Sequence, residues 1–343
     1  MSGKRQHFIP RFLLKGFASH ESGDAVFTWV YRKDSKPFNT NIVNVGVESH
    51  FYTQENDTRA DVKITEIENS FSSLVQKLRA NPLLAVHDSQ IPYLIAHFEI
   101  RTRHLRQNFL ETGNYLVSRF LDFMDDEEAF TEYLERTFRN DPSFLQRSLS
   151  KELRKHGLPK TMLGPALQLT STFLPVLLRQ LRPELHQFAI VMRTDSPKIL
   201  SKAAKSGQIR FLKENVTPEV RAQRYRDLVY TVIEVPEARL ILGDSIVIFH
   251  VEGAKPFKTF LEEKDTLNAV VLPLNSHKIL VGTHEGFSIS EQFLPAAIAR
   301  CSLEYFVAEE NSDANISFQD QIGEDASLLT RAELENIITE GLK

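Results

Sequence analysis

The apolar residues of this chain change period partway along it. From about residue 57 to about 185 they fall at three- and four-residue steps, and from about 188 to 281 they gather into short β-branched runs between turn residues. A helix repeats every 3.6 residues and a strand every two, so the switch divides the chain by element type. In the first stretch Val62, Ile64, Ile67, Phe71, Leu74, Val75 and Leu78 line one helix face, and Asn81-Pro82 predicts its end. Further helices are expected over about Ser89 to Leu110, from about Thr112 into the Asp122 to Arg139 region, and over about 142–155 and 160–185. In the second stretch Phe188 to Met192 reads as a buried strand closed by the turn Asp195-Ser196-Pro197. Strands follow at Val229 to Val235, Arg239 to Leu242, Ile246 to Val251, Ala269 to Leu272 and Lys278 to Val281, with Pro, Gly, Asn and Asp between them. The fold class predicted is α+β: a helical bundle or layer over about 57–185, packed with a small, mostly antiparallel sheet over about 188–281.

Residues 1–56 read as irregular and β-rich, with a strand at Ala25 to Tyr31 after the turn Ser22-Gly23-Asp24 and a second extended piece at Phe51-Tyr52. A closing helix is expected over about Ser290 to Val307, with Ser290 as N-cap and Phe293, Ala297, Cys301 and Phe306 near one side. The tail after Glu309 is acidic and reads as mobile up to a weak helix near Arg331. A length of 343 residues favours two packed units plus this tail. The divisions expected are 1–187, 188–309 and 310–343.

Forty-one basic and forty-five acidic side chains leave a formal charge of -4, too little to draw the whole molecule onto nucleic acid or anionic lipid. A polyanion partner would need a local basic patch. Cys301 is the only cysteine, which excludes an intramolecular disulfide and a cysteine-rich zinc site and fits a reducing cytoplasm. Pro10, Arg11 and Lys15 interrupt the apolar core that an export signal would need, and no stretch approaches the ~20 apolar residues of a membrane span. The expectation is a soluble cytoplasmic protein without cofactor or metal and without membrane contact. No Walker A loop, Gly-rich dinucleotide fingerprint, His-Glu-x-x-His helix or Gly-x-Ser-x-Gly elbow is present.

The segment Gln6-His7-Phe8-Ile9-Pro10-Arg11-Phe12-Leu13-Leu14-Lys15-Gly16-Phe17 places His7, Pro10, Arg11, Leu14 and Gly16-Phe17 at a distinctive spacing. Phe51-Tyr52, Ile67-Glu68, the Phe98 to Arg103 stretch, Gly243-Asp244-Ser245 and Leu272-Pro273-Leu274 follow in order. On these residues most of the chain resembles the bacterial domain-of-unknown-function family 4238. That family commonly has a proline shortly after its sheet aspartate, whereas this chain reads Gly243-Asp244-Ser245-Ile246-Val247. The resemblance implies no activity, substrate or catalytic set.

Among single residues, His7 can exchange protons near neutral pH, or can pin the N-terminal segment through one hydrogen bond to a carbonyl. On the helix expected from Ser89 to Leu110, His97, Arg101, His104 and Asn108 recur at i, i+4, i+7 and i+11, so they project from one side. Such a stripe suits phosphate or carboxylate, although a charged helix face is usually only a solvated one. Arg103 lies about 200° round the axis from Arg101 at 100° per residue. Glu66 and Glu68, two apart, do not face each other and make a poor metal pair, while Glu68 could pair with Arg101 or Arg103. Asp244 sits in a turn. Glu252-Gly253-Ala254-Lys255 is a poor match to a metal-nuclease strand, because its acid and lysine are one residue too far apart. Arg179 and His186 are similar to an Arg-to-His motif of small helical ribonucleases, with Pro183 intervening. The cluster Lys202, Lys205, Arg210 and Lys213 lacks the interleaved aromatics of a single-strand groove.

The leading expectation is a cleft in which the N-terminal block meets the Ser89 to Leu110 helix, with His7, Arg101 and His104 as catalytic groups and Arg11, His97, Arg103 and Asp244 as ligand-binding groups. It would act on a nucleic acid or phosphate-bearing ligand by metal-independent phosphodiester cleavage. The bacterial toxin or phage-defence setting comes with the family resemblance. The rival is a non-catalytic sensor or scaffold that binds a protein or nucleotide partner.

Overall fold

The computed structural model describes residues 5–53, 59–80, 85–214, 218–235 and 240–341. The chain is α+β, and it divides into two compact units interleaved in sequence. One contains Met1–Phe109 and Ala204–Thr330, the other Leu110–Ala203 and Arg331–Lys343.

The first unit holds the described strands, all paired antiparallel. The longest sheet runs in the order Phe257–Lys258, Ile248–Val251, Leu267–Pro273, Lys278–Thr283, Val229–Glu234, Ala85–Val86. Its central hairpin pairs Val271 with Val281 and Leu272 with Leu280, and the Asn275 side chain closes the turn by accepting from the His277 and Lys278 N–H groups. A second sheet places Tyr305–Ala308 between Ala25–Arg32 and Leu242–Gly243, with His20–Ser22 and Phe38–Asn41 also on the Ala25–Arg32 strand. A two-stranded ladder joins Arg5–His7 to Val47–Ser49. One continuous core includes Phe8, Leu13, Leu14 and Phe17 of the opening block, Phe71 and Leu78, the helix Ile91–Arg101, and the inner faces of the sheets.

In the second unit Asp126 caps the helix Glu127–Asn140 through Ala129 N, and Asp141 caps Pro142–Lys155 through Ser143 N. Leu121, Met124 and Ala189 form a small buried cluster there, and Arg182 donates to Met124 O at 2.7 Å. No single helix among the described residues is long and apolar enough to cross a membrane.

Several local expectations change. Phe188 to Met192 and Asp195 to Pro197 lie inside one helix, Leu163–Glu214, rather than in a strand and a turn. A five-residue apolar run has no period of its own, and Ala189 packs on Leu121 and Met124 as a helical residue. The helix expected over Ser89 to Leu110 is two helices, Ile91–Arg101 and His104–Asp125, because Thr102 is extended at φ -76 and ψ 167. The stripe from His97 to Asn108 is therefore broken between Arg101 and His104. The closing helix is shorter, Leu294–Cys301, and Phe306 belongs to the strand that pairs with Ala25–Arg32. Ser290 makes no side-chain cap. Phe51 and Tyr52 lie in a bend just past Val47–Ser49. The tail contains two helices, Asp313–Gln319 and Arg331–Gly341. The Asn81-Pro82 helix end and Pro236-Glu237, the pair between the strands expected at Val229 to Val235 and Arg239 to Leu242, lie outside the described residues.

Candidate functional site

The opening block enters the fold as a short strand, turns at Pro10 and buries Leu13, Leu14 and Phe17. Buried Gln6 sets its position. The Gln6 amide donates to Thr53 Oγ1 at 3.2 Å and its carbonyl accepts from Tyr52 N at 2.8 Å. The carbonyl of His7 accepts from two buried neighbours, Tyr52 Oη and Arg101 Nη2. The block and the arginine-bearing helix do meet.

Arg101 is 1% exposed. Its Nη1 pairs with Glu68 and lies 3.3 Å from His97 Nε2, while its guanidinium carbon sits 5.1 Å from the Tyr52 ring centre. The His97 ring is buried against Phe71 and Phe98. These contacts tie three segments together through a charge kept out of water.

The His7 ring places Nδ1 3.1 Å from Val45 O. Burial first, and then the neighbouring Arg11 charge, lower its pKa from 6.5 to about 4. His104 belongs to a different cluster. Its Nε2 lies 2.9 Å from Cys301 O, which makes this nitrogen the donor, and 3.9 Å from Asp244 Oδ1. Burial lowers the His104 pKa to about 4 and raises that of Asp244 to about 7. Salt-bridge formation would drive these shifts the other way, so the pair is not an ion pair near neutral pH. Asp244 is instead the anchor of a turn, accepting from Leu303 N at 2.6 Å and Glu304 N at 2.9 Å.

Arg103, released from the helix by the break at Thr102, donates Nη1 to Glu304 at 2.7 Å and reaches Glu48 at 3.5 Å. Arg106 pairs with Glu48 through both guanidinium arms, and Lys205 lies 3.7 Å from the same carboxylate. Burial pushes the Glu48 pKa up, but these cations hold it below its ordinary value. Arg11 is exposed on the opening block. A notch of about 100 Å³ opens among Phe8, Arg32, Phe38, Arg103, Glu304 and Tyr305. The Tyr305 hydroxyl is buried there without a hydrogen bond of good geometry, and Arg32 lies over its ring at 5.4 Å. Arg32 makes no ion pair among the described residues.

The structure thus joins His7, His97 and Arg101 in one network and His104 and Asp244 in another, with Arg103 on the wall of the notch. Periodicity gave no hint of Arg32 and Tyr305, because strand pairing between residues 273 positions apart brings them together. Glu99 was also hidden. It is 0% exposed, accepts from Tyr225 Oη at 2.7 Å and Leu261 N at 3.0 Å, and pairs with Arg221. Its one visible sign was a lone acid inside the apolar run Ile95 to Ile100.

No curated protein and no solved structure matches the chain. A family model described as "Protein of unknown function (DUF4238)" matches residues 5–293, which include the opening block, the buried Arg101 and the Asp244 turn. The chain belongs to the DUF4238 family.

Proposed function

We propose that this protein is a non-catalytic scaffold or sensor that binds a protein partner by seating one acidic side chain between Arg32, Arg103 and Tyr305. The observation that carries this reading is the commitment of the titratable rings. His7 and His104 each hold a main-chain carbonyl, and burial lowers their pKa values to about 4, far below the neutral value that serves proton exchange best. Metal-independent phosphodiester cleavage in a toxin or phage-defence setting would need such exchange and an arginine open to substrate, whereas Arg101 is enclosed.

Size and charge support the choice of occupant. The notch of about 100 Å³ is smaller than the roughly 300 Å³ at which small-molecule sites begin, and is closer to one side chain than to a nucleotide. Arg103, Arg106 and Lys205 share two carboxylates, Glu48 and Glu304, and Arg32 adds a fourth cation. An incoming carboxylate would therefore meet excess positive charge.

Selection of displayed random peptides on the full chain tests the proposal. Enriched peptides are expected to share an Asp or Glu, and Arg32→Glu should abolish their binding without changing the melting temperature. Enrichment without an acidic residue would overturn the reading. So would RNA or DNA breakdown in cells expressing the protein that disappears with His7→Gln.

A further inference from the structure

A second cleft, of about 390 Å³, lies where the opening block passes the end of the helix Arg59–Ala80 and the 273–278 hairpin turn. Lys15, Gly16, Arg79, Asn275 and Ser276 line it. Arg79 is mostly buried and has no carboxylate partner among the described residues. Its Nε donates to Leu274 O at 2.8 Å and its Nη2 to Leu13 O at 3.2 Å as well as to Leu274 O. Burial without a counter-charge pulls its pKa from 12.5 to about 10.

Gly16 is what lets the guanidinium sit there. A Cβ at this position would fall 2.5 Å from Leu274 O and collide with Arg79 Nη2. The Gly16 carbonyl meanwhile accepts from Ser276 N at 3.1 Å, which brings the hairpin turn against the block.

Four side-chain donors of residues that line this cleft make no hydrogen bond among the described residues: Arg79 Nη1, Lys15 Nζ, Asn275 Nδ2 and Ser276 Oγ. The Asn275 amide is oriented because its oxygen is already taken by His277 N at 2.9 Å and Lys278 N at 2.6 Å. The guanidinium is likewise fixed in advance, so a ligand would lose little entropy in ordering it. Two cations line the cleft with one carboxylate, Glu309, which faces His277 Nε2 at 3.7 Å.

We propose that the cleft of Lys15, Gly16, Arg79, Asn275 and Ser276 binds the phosphate group of a phosphate monoester. Four donors from three segments suit an anion with several oxygens arranged around one centre better than a planar carboxylate, and two cations suit a dianion. The site is separate from the Arg32 notch, so either proposal can fail without the other.

The test is a titration of the full ¹⁵N-labelled chain with inorganic phosphate at pH 8 and constant ionic strength, read at the Gly16 and Ser276 amides. Saturable shifts are expected, with acetate at least tenfold weaker. Lys15→Ala, which removes an exposed side chain with no hydrogen bond or ion pair among the described residues, should weaken phosphate binding about tenfold. Asn275→Asp keeps the oxygen that accepts both turn-closing bonds but replaces the donor by an anion, and should abolish binding. Absence of saturation, equal binding of acetate, or unchanged affinity in both variants would overturn the assignment.

Discussion

Replacing Arg101 by alanine separates a residue that builds the fold from one that serves chemistry. The side chain is 1% exposed and holds Glu68, the His7 carbonyl and the Tyr52 ring at once. Removing one partner of a buried ion pair costs about 3–5 kcal/mol, and a hydrogen bond to a charged group contributes about 1.5–3 kcal/mol. These overlap rather than add. Glu68 keeps 26% of its side-chain surface in water, which points to the lower end, about 3 kcal/mol. Trp29, the only tryptophan, lies on the Ala25–Arg32 strand in the same unit, so its fluorescence in urea reports the relevant unfolding. With a slope of about 3 kcal/mol per molar urea, the midpoint should fall by about 1 M. Arg101→Lys keeps the charge but loses the fork, and should fall about half as far. An Arg101→Ala midpoint equal to that of the native chain would refute the structural role.

Three further outcomes follow from the buried groups. Because His7 and His104 have folded-state pKa values depressed to about 4, the unfolded chain takes up their protons first, and their contribution to stability is lost as pH falls from 6.5 towards 4. Asp244, raised to about 7, acts in the opposite sense, gaining stability as pH falls from 7 towards 3.8, so Asp244→Asn should steepen the acid loss seen in urea midpoints across pH 4 to 6.5. Gly16→Ala should cost about 1–3 kcal/mol in the same assay, since the added methyl meets a main-chain carbonyl at 2.5 Å. Burial raises the Cys301 thiol pKa, and a thiol-specific chromogenic reagent should leave it unmodified until urea unfolds the chain; rapid reaction of the native protein would contradict the burial.

Much of the first unit was legible because its signals are local. The hairpin at Asn275-Ser276 and the strand after Ser22-Gly23-Asp24 follow from turn residues, and the apolar anchor of the opening block is visible as Phe12, Leu13, Leu14 and Phe17. The meeting of that block with Arg101 was also anticipated, and of the two partners open to Glu68, Arg101 or Arg103, the structure shows Arg101. What escaped was tertiary. The break at Thr102 leaves no mark on a continuous helical pattern, yet it separates His104 from the face of Arg101 and directs Arg103 to Glu304. The strand Tyr305–Ala308 looked like the end of a helix because its partner, Ala25–Arg32, is nearly a whole chain away. Phe188 to Met192 looked like a strand because five apolar residues suit either element. Gly16, a glycine within an apolar helical block, marks a close approach, but nothing in the sequence names Arg79 as the group that makes it.

The central claim is that His7 and His104 hold the fold rather than move protons for a reaction. Titration of the two imidazole rings by NMR in the native chain, with each resonance assigned through His7→Gln and His104→Gln, measures this directly. Both rings should remain neutral down to about pH 5 and titrate near 4. A ring that titrates between pH 6 and 7.5 in the folded protein would contradict the account and restore that histidine as a proton-transfer group.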